Sequence, residues 1–428
     1  MNTYKNSELL LERALKSIPL GSQTFSKSKV QFPVGASPLF IEKGEGSKVW
    51  DVDGNEYIDF MNALLCVSIG YADQDITNAV CDQIKTGVSF SLPHRLETEV
   101  AEKLISMIPC AEKVRFGKNG SDATSAAIRL ARAYTKREVV LVCGYHGWQD
   151  WYIGSTSRNL GVPESTQALT KVFKYNDIGS LKQVVEQNRN SVAAIIMEPM
   201  NVEYPKEGYL EAVKEIAKDE GAVFIFDETI TGCRFAKGGA QELFGVTPDL
   251  ATFGKGLANG FPLSAVVGKA EIMDVMNDIF FSGTFGGETA SLSAAKVVLD
   301  KVDTLDTPQK INAIGRYLLE SLNHLINELG CEHFLGTAGH PSWSFLTISD
   351  SGSYNSFELK TLFMQEVLKR GILTIGTHNI SYSHSKQDIN QLITCYREVF
   401  PIMKDAINNN TLADKLECTV LEPLFKVR

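Results

Sequence analysis

The sequence predicts an α/β protein, with a large domain whose mostly parallel sheet is covered by helices and a smaller α+β domain. From about Ala101 to Asp303, short apolar strands alternate with helical stretches, which is typical of a parallel sheet between helices. After Asp303 the pattern changes to longer helical segments that flank short strands. The 428 residues also exceed the length of one typical domain, so a second core is expected.

The elements follow in order along the chain. The stretch MNTYKNSELLLERALKSIPLGS has apolar residues at helical spacing among charges, which predicts an amphipathic helix and not a signal peptide; its apolar positions are Leu9, Leu10, Ala14 and Ile18. An Asp-Gly turn in DVDGNEY indicates a strand pair at about 39–57. The strands of the large sheet are expected at VVLV, VAAIIM, VFIF, LATF and SAVVG. Helices are then expected near 308–330, 356–369 and 386–409, with strands at 342–348 and 371–374.

These patterns predict three regions. An N-terminal segment, 1–60, is expected to pack with the small domain, 61–305 to form the large domain, and 306–428 to form the small C-terminal domain. No repeat, low-complexity tract or flexible linker separates them.

Composition narrows the classes of function. A formal charge of −9 argues against nucleic acid or an anionic membrane as a partner. Eight cysteines without a CxxC pair indicate free thiols in a reducing cytoplasm. The seven histidines show no metal-binding spacing. The sequence contains no run of eighteen apolar residues, so no membrane-spanning helix is expected.

Two charged residues stand at the ends of apolar runs. Asp227 ends the run in AVFIFDETITG, and Lys255 follows the run in PDLATFGKGLANGFP. Because ligands bind at the carboxyl ends of parallel strands, an acid and an amine would meet at one edge of the sheet. Pyridoxal 5'-phosphate needs this pair: a lysine for the Schiff base and an acid that holds a proton on the pyridine nitrogen. The alternative is that both are solvated groups at strand ends.

Three further stretches bear on this choice. In RFGKNGSDATSAAIRLARAYTKRE a loop of small residues opens into a helix, so Asn119, Gly120 and Ser121 are candidates for a phosphate site, although an ordinary helix cap has the same composition. VVLVCGYHGWQDWY brings aromatic side chains after a strand, Tyr145, His146 and Trp148, which could stack on a cofactor ring or belong to a core. Ser282 to Thr289 is a second small, hydroxyl-rich loop before a helix and is weak by itself.

Taken together, the motifs resemble those of the class III aminotransferases, pyridoxal-phosphate enzymes of fold type I. The resemblance is carried by NGSDATSAAIRLARA, GYHGW, AAIIMEP, SGTF and above all FIFDETITGCRFAKGGAQELFGVTPDLATFGKGLANGFP. It covers about residues 20–410 and is nearest to the glutamate-1-semialdehyde 2,1-aminomutase branch.

The resemblance implies a role for each matching residue. Lys255 resembles the Schiff-base lysine, Asp227 the acid at the ring nitrogen, and Tyr145 the residue stacked on the ring. Gly120 and Ser121 resemble the phosphate-binding residues, and Glu198 the acid of the family's EP motif near the ring hydroxyl. Thr284 resembles a phosphate ligand given by the neighbouring subunit, which implies a homodimer.

The sequence departs from the aminomutase pattern in its substrate-binding positions. Lys27 falls where that branch has an arginine for the substrate carboxylate, and Leu64 where it has a pocket tryptophan. Lysine offers a point charge where arginine binds a carboxylate through two parallel hydrogen bonds. The segment between Gly147 and Tyr175 is also shorter.

Three functions are therefore compared. The first is an aminotransferase that moves an amino group, with glutamate as the expected donor, to an aldehyde or ketone of a polar, sugar-like metabolite. Its candidate substrate residues are Lys27, Arg158, Asn159 and His378. The second is the aminomutase, and the third a cofactor-sensing module without turnover, which the absence of a basic helix-turn-helix segment disfavours.

Overall fold

A computed structural model describes residues 3–422. The strands are β1 (Ile41–Glu45), β2 (Lys48–Asp51), β3 (Glu56–Asp59), β4 (Lys113–Gly117), β5 (Val139–Cys143), β6 (Thr170–Val172), β7 (Val192–Met197), β8 (Val223–Asp227), β9 (Leu250–Phe253), β10 (Ser264–Gly268), β11 (Leu335–His340), β12 (Trp343–Ile348), β13 (Ile372–Leu373) and β14 (Thr377–Asn379).

The α-helices are α1 (Lys5–Ala14), α2 (Asn62–Leu65), α3 (Gln74–Ile84), α4 (Arg95–Met107), α5 (Gly120–Thr135), α6 (Asp150–Ile153), α7 (Glu164–Gln167), α8 (Ile178–Gln187), α9 (Tyr209–Glu220), α10 (Ala240–Phe244), α11 (Ala270–Met273), α12 (Thr289–Leu305), α13 (Thr307–Leu329), α14 (Ser356–Lys369), α15 (Lys386–Asn409) and α16 (Leu412–Lys415). Short 3₁₀ turns lie at Pro19–Gly21, Phe25–Lys27, Lys255–Ala258 and Asp274–Asn277.

Residues 74–308 form one compact unit around a seven-stranded sheet. The strand order is β4-β10-β9-β8-β7-β5-β6, and the five strands from β9 to β6 run parallel. Strands β5, β7, β8 and β9 are buried along their whole length, as expected for strands covered on both faces. The predicted α/β fold with a mostly parallel sheet is confirmed. The one antiparallel strand of this sheet is β10, which pairs with β9 and β4.

This topology brings three chain segments to one edge of the sheet. The parallel strands β5, β8 and β9 end at Cys143, Asp227 and Phe253. The loops that follow them carry the motifs singled out in the sequence, because carboxyl ends of parallel strands share an edge.

The other compact unit comprises the described residues up to Asp73 and those from Gln309 onward. It contains one sheet of order β1-β2-β3-β13 and one of order β11-β12-β14, with helices α13, α14 and α15 contributing to its hydrophobic core. The sequence predicted β12 and β13 but missed β11 and β14, since a strand such as LGTAGH is only partly buried and lacks an apolar run.

The boundaries of the units differ from the sequence-based domains: they fall at 73/74 instead of 60/61 and at 308/309 instead of 305/306. Residues 61–73 associate with the terminal segments and not with the large sheet. Asn379 Nδ2 donates to Met61 O over 2.7 Å, and Tyr382 N donates to Ser68 O over 2.8 Å, which ties this segment to the small unit. Residues 1–2 and 423–428, which the expected domains included, lie outside the described residues.

The N-terminal helix forms as predicted, but its buried face shares only Ala14 with the predicted apolar positions. It spans Lys5–Ala14 and buries Ser7, Leu11 and Ala14, whereas Leu9 is 52% exposed. Asp53 accepts from the Asn6 and Ser7 amides and so fixes the start of the helix. Across residues 3–422, no helix is long and apolar enough to cross a membrane.

Candidate active site

Asp227 lies at the end of β8 and is nearly buried, with 4% of its surface exposed. Its Oδ2 is 2.8 Å from His146 Nδ1. Its Oδ1 accepts from Thr229 N at 3.1 Å, Thr229 Oγ1 at 2.5 Å and Thr252 Oγ1 at 3.1 Å. Burial raises the pKa of the Asp227 carboxyl, but the bonds from His146 and Thr229 outweigh it and hold that pKa below its ordinary value. Asp227 is therefore a buried anion.

His146 is a buried residue in the loop after β5. Thr124 Oγ1 donates to its carbonyl at 2.8 Å, and its ring lies against Trp151 and Tyr152. Because Asp227 is ionised, Nδ1 carries the proton of this contact. Nε2 is buried and has no hydrogen-bond partner among residues 3–422. The sequence grouped His146 with the stacking aromatics and missed its contact with Asp227, since the two residues are 81 positions apart.

The predicted phosphate loop stands at the start of α5. Asn119 caps the helix, and Asp122 Oδ2 accepts from the Asn119 amide at 2.8 Å. Gly120 and Ser121 occupy the first turn, where backbone N–H groups have no partner within the helix and the dipole favours an anion. The segment is therefore a capped helix start that also has backbone amide donors available for an anion.

Close packing joins this loop to the two charged residues. A Cβ on Gly120 would lie 3.1 Å from Thr229 Cγ2, and a Cβ on Gly254 would lie 3.6 Å from Gly120 Cα. Thr229 follows Asp227 by two positions and Gly254 directly precedes Lys255. The loop, the acid and the lysine segment thus meet at the carboxyl edge of the sheet.

Lys255 begins a 3₁₀ turn immediately after β9 and Gly254. Its φ of +42° is in the left-handed region, which a residue with a Cβ adopts only at a cost of about 1–3 kcal/mol. Such strain is concentrated at functional sites, which agrees with the role that the sequence predicts for this lysine.

Tyr145 and Glu198 are joined through a backbone contact. Glu198 Oε2 accepts from Tyr145 N at 3.0 Å and from Asn201 Nδ2 at 2.9 Å. A Cβ on Gly144, whose φ is +106°, would fall 2.5 Å from Glu198 Oε2, so only glycine fits there. Tyr145 keeps 38% of its surface exposed and meets Tyr152 edge-on.

A cavity of about 640 Å³ borders these residues. Its lining includes Gly144, Glu198, Asn201, Ser157 and Lys174. The side-chain oxygen of Asn201 is buried without a partner in the described chain, so this amide has an acceptor available for a bound group. Asn201 is a candidate that the sequence reasoning missed, although its position three residues after Glu198 in the EP motif was a usable signal.

Thr284 lies on an exposed loop between the 3₁₀ turn at Asp274–Asn277 and α12. Phe285 beside it is 59% exposed. The role of Thr284 across a dimer interface stays a prediction.

The candidate substrate residues fall in different places. Lys27 and Leu64 line one cavity of about 480 Å³ within the smaller unit. Arg158 is exposed in the large unit, and Asn159 Nδ2 donates to Gln167 Oε1 at 3.1 Å.

The expectation for His378 is wrong. Its side chain is completely buried, with Nε2 2.8 Å from Tyr396 OH and Nδ1 3.3 Å from Ser344 Oγ. Burial lowers the pKa of His378 to about 3, so it is a neutral core residue. The sequence could not show this because β14, which carries His378, was not predicted.

The residues of the large unit fit pyridoxal phosphate. A buried anion suits a protonated pyridine nitrogen, the first turn of α5 suits a phosphate, and Tyr145 presents an accessible ring beside them. No cluster of histidine, cysteine and carboxylate side chains within residues 3–422 is arranged for a metal ion.

Comparison with known proteins agrees with this class of site. The family described as "Aminotransferase class-III" matches residues 31–336. A 3-aminobutyryl-CoA aminotransferase of Cloacimonas acidaminovorans is 36% identical over 401 residues, covering 91% of this chain and 95% of the relative. A glutamate-1-semialdehyde 2,1-aminomutase of Sulfurihydrogenibium azorense is 32% identical, covering 94% and 100%.

Solved structures show the same fold. The FumI protein of Sphingopyxis sp. MTA144, in a form with PLP, superimposes with a TM-score of 0.88 at 26% identity, covering 97% of this chain and 99% of that one. An omega-transaminase from Sphaerobacter thermophilus gives 0.85 at 26% identity, covering 94% and 100%. Fold and site thus define a PLP-dependent enzyme of fold type I. The chain belongs to the class III aminotransferase family, whose members use pyridoxal phosphate.

Proposed function

We propose that this enzyme transfers an amino group from a separate donor, with glutamate as the expected donor, to the carbonyl group of an aldehyde or ketone. The observation that supports it most is the buried, ionised Asp227, held by His146, Thr229 and Thr252 beside the start of α5. A carboxylate in this environment needs a cationic partner, which a protonated pyridine nitrogen provides.

Each residue has a role that its surroundings support. Asp227 keeps the proton on the ring nitrogen, and His146 keeps Asp227 oriented and ionised. Gly120 and Ser121 receive the phosphate at the helix start, and Asn119 shapes that turn. Tyr145 would cover one face of the ring. Glu198 fixes the Tyr145 backbone and the Asn201 amide, and this group would meet the ring hydroxyl.

Lys255 is the proposed site of covalent attachment and the base for the reaction. With the cofactor bound, its amine would act as the base that moves a proton between the substrate carbon and cofactor carbon C4′. When bound, pyridoxal phosphate supplies the electron sink that makes loss of that carbon's proton possible.

The attachment is tested by reduction and peptide mapping. Borohydride treatment of the purified enzyme should fix the cofactor on the peptide that contains Lys255. Lys255→Ala should still retain cofactor through the helix start and Asp227, yet lose turnover. Fixation on a different lysine would exclude this assignment.

The acceptor could be a polar, sugar-like carbonyl compound or a compound with a short acyl chain. A polar, sugar-like carbonyl compound was expected from the loss of the arginine and tryptophan positions, with Lys27 and Arg158 as its candidate contacts. The cavity that contains Lys27 and Leu64 is, however, walled largely by apolar side chains, among them Phe32, Leu39 and Met61. Apolar walls fit a short acyl chain better than a polyhydroxylated chain. The name of the relative 3-aminobutyryl-CoA aminotransferase also specifies a short acyl substrate.

Turnover assays with an acceptor panel separate these possibilities. We expect glutamate to give 2-oxoglutarate beyond about one equivalent per active site only when an acceptor is present. The acceptors 3-oxoacyl thioesters and sugar aldehydes should be tested side by side. Lys27→Met should raise KM for an anionic acceptor and leave kcat nearly unchanged, with Lys27→Arg as the charge-preserving control.

An aminomutase remains the second candidate, because several relatives 32–34% identical have that name. It predicts that glutamate-1-semialdehyde gives 5-aminolevulinate with no external donor. Efficient formation of that product would replace our proposal. A homodimer in the cytoplasm is also proposed, from the resemblance of Thr284 and from the scattered cysteines, all eight of which are free thiols.

A further inference from the structure

A second cavity in the smaller unit contains an unpaired lysine. It has a volume of about 330 Å³, and we name it the Lys360 cavity. Its walls are mainly apolar, and its lining residues are Phe345, Leu346, Ile348, Ser356, Phe357, Lys360, Ile375, Gly376 and Thr377. A concave apolar site of this size with a few polar groups is typical of small-molecule pockets.

Lys360 lies on α14, about one turn after its start, and is half-buried. It forms no hydrogen bond or ion pair with any side chain in the part of the chain that the structure describes. Burial alone lowers the pKa of its amine, and no nearby charge opposes that effect. A half-buried ammonium without a partner loses part of its hydration, and a bound anion would offset that cost.

The acidic groups around the start of α14 are engaged elsewhere. Asp350 Oδ1 accepts from the Ser356 amide at 2.7 Å, and Glu358 Oε2 accepts from the Asn355 amide at 2.8 Å. Asn355 Oδ1 in turn accepts from the Phe357 and Glu358 amides. The start of α14 is thus fully capped, so an anion in the cavity would be held by Lys360 and not by the helix amides.

Thr377 supplies a second polar group. Its Oγ1 is buried and has no partner among residues 3–422. The backbone around it is fixed, because Thr374 Oγ1 donates to Thr377 O at 2.6 Å and Leu346 N donates to Gly376 O at 2.8 Å. An unsatisfied hydroxyl and an unpaired amine in one apolar cavity are two independent signs of a missing ligand.

We propose that the Lys360 cavity binds a small monocarboxylate with an apolar body, whose carboxylate meets Lys360 and Thr377 and whose body packs on Phe345, Phe357 and Ile375. This site is separate from the residues assigned to amino transfer and does not depend on the proposed reaction. A charge-assisted contact to the amine gives the site its preference for acids over neutral analogues.

Calorimetric titration of the cofactor-loaded enzyme with phenylacetate tests the proposal. Phenylacetate binding should be saturable. Phenylacetamide has the same apolar body without the charge, and its affinity should be at least about tenfold lower. Lys360→Met should reduce phenylacetate affinity at least about tenfold, and its unfolding temperature should match or exceed that of the wild type, since the change removes an unpaired amine from an apolar site. Lys182→Met, the same change on the exposed face of α8, should alter neither value.

A second variant covers the case in which Lys360→Met does not fold. Thr377→Val removes only the hydroxyl and should reduce phenylacetate affinity about threefold or more. Unchanged affinity in the folded Lys360→Met variant would show that phenylacetate binds elsewhere, for example among the residues that hold the substrate, and would overturn the proposal. Equal affinity for phenylacetate and phenylacetamide would overturn it as well.

Discussion

A carboxylate as deeply buried as Asp227 stays ionised because its neighbours donate hydrogen bonds to it. His146, Thr229 and Thr252 together supply four such contacts to its two oxygens. Each contact favours the charged form against the cost of desolvation. The charge of Asp227 is therefore a property of this small group of residues.

The first prediction concerns Asp227→Asn. The variant should fold, because asparagine has nearly the same shape, but kcat should fall roughly 100-fold or more since a neutral amide cannot hold the ring proton. Steady-state kinetics with a thermal melt would measure both effects. Thr252→Val, which removes one of the four contacts, is the matched control and should cost only about 3- to 10-fold. A kcat of Asp227→Asn within about threefold of the wild type would contradict the role.

The second prediction concerns pH and His378. Its pKa is about 3 in the folded protein and ordinarily about 6.5, so only the unfolded chain takes up this proton as the pH falls. The stability that a neutral His378 provides is complete above pH 6.5 and is lost as the pH falls from 6.5 towards 3. Between pH 7.5 and 5.0 the loss should be about 2 kcal/mol.

Urea unfolding of the wild type and His378→Gln at these two pH values isolates the effect. Glutamine does not titrate, so the difference in stability between the two proteins should shrink at pH 5.0, while contributions from other groups cancel. A difference that is independent of pH would show that His378 is not held neutral in the fold.

At the scale of an element, α2, the short segment after β3, is a left-handed turn and not a regular α-helix. Four consecutive residues without glycine have positive φ values: Asn62 at +46°, Ala63 at +48°, Leu64 at +61° and Leu65 at +72°. Each costs about 1–2 kcal/mol in this conformation, so the surrounding structure must compensate. The turn places Ala63 and Leu64 in the wall of the 480 Å³ cavity.

Asp59 supplies much of that compensation. Its Oδ1 accepts from the Met61 amide at 2.7 Å and the Asn62 amide at 3.1 Å, and its Oδ2 accepts from Tyr71 OH at 2.6 Å. Asn379 Nδ2 donates to Met61 O at 2.7 Å on the opposite side. A single carboxylate therefore bonds the start of the left-handed turn.

The third prediction follows from this arrangement. Asp59→Ala should destabilise the protein by about 3 kcal/mol, because it leaves two amides and a hydroxyl unsatisfied in a buried place. Tyr71→Phe removes only one of the three contacts and should cost about 1 kcal/mol. Chemical unfolding would measure both, and equal losses in the two variants would show that Asp59 does not hold the turn.

For the whole molecule, the main expectation is a homodimer in which Thr284 serves the neighbouring active site. A twofold axis would place the same loop at both sites. A loop that reaches a neighbouring subunit must be exposed in the single chain. Thr284 is exposed, and Phe285 beside it is 59% exposed.

The fourth prediction tests that sharing. Lys255→Ala and Thr284→Ala subunits should each be impaired alone, but coexpression should produce heterodimers with one site that carries both changes and one that carries neither. With random pairing, activity should recover to about a quarter of the wild-type value. Light scattering would confirm the dimer, and a fully active monomer would contradict the expectation.

The sequence by itself determined the fold class and the cofactor. The runs VVLVC and VFIF are apolar throughout. A chain in which such strands alternate with helices buries both faces of the strands in a parallel sheet covered by helices. Asp227 ends β8, Lys255 follows β9 after Gly254, and Gly120 and Ser121 lie within four positions of the end of β4. Local order in the chain therefore already implied a common sheet edge.

Only the tertiary structure decided which distant side chains meet. The contact of His146 with Asp227, the contact of Glu198 with the Tyr145 amide, the burial of His378 and the isolation of Lys360 all depend on packing between segments far apart in the chain. Periodicity reports which face of an element is buried, but the identity of the partner and the cost of desolvation depend on three-dimensional neighbours. For that reason the sequence identified the chemistry of the site, whereas the structure revealed how its charges are held.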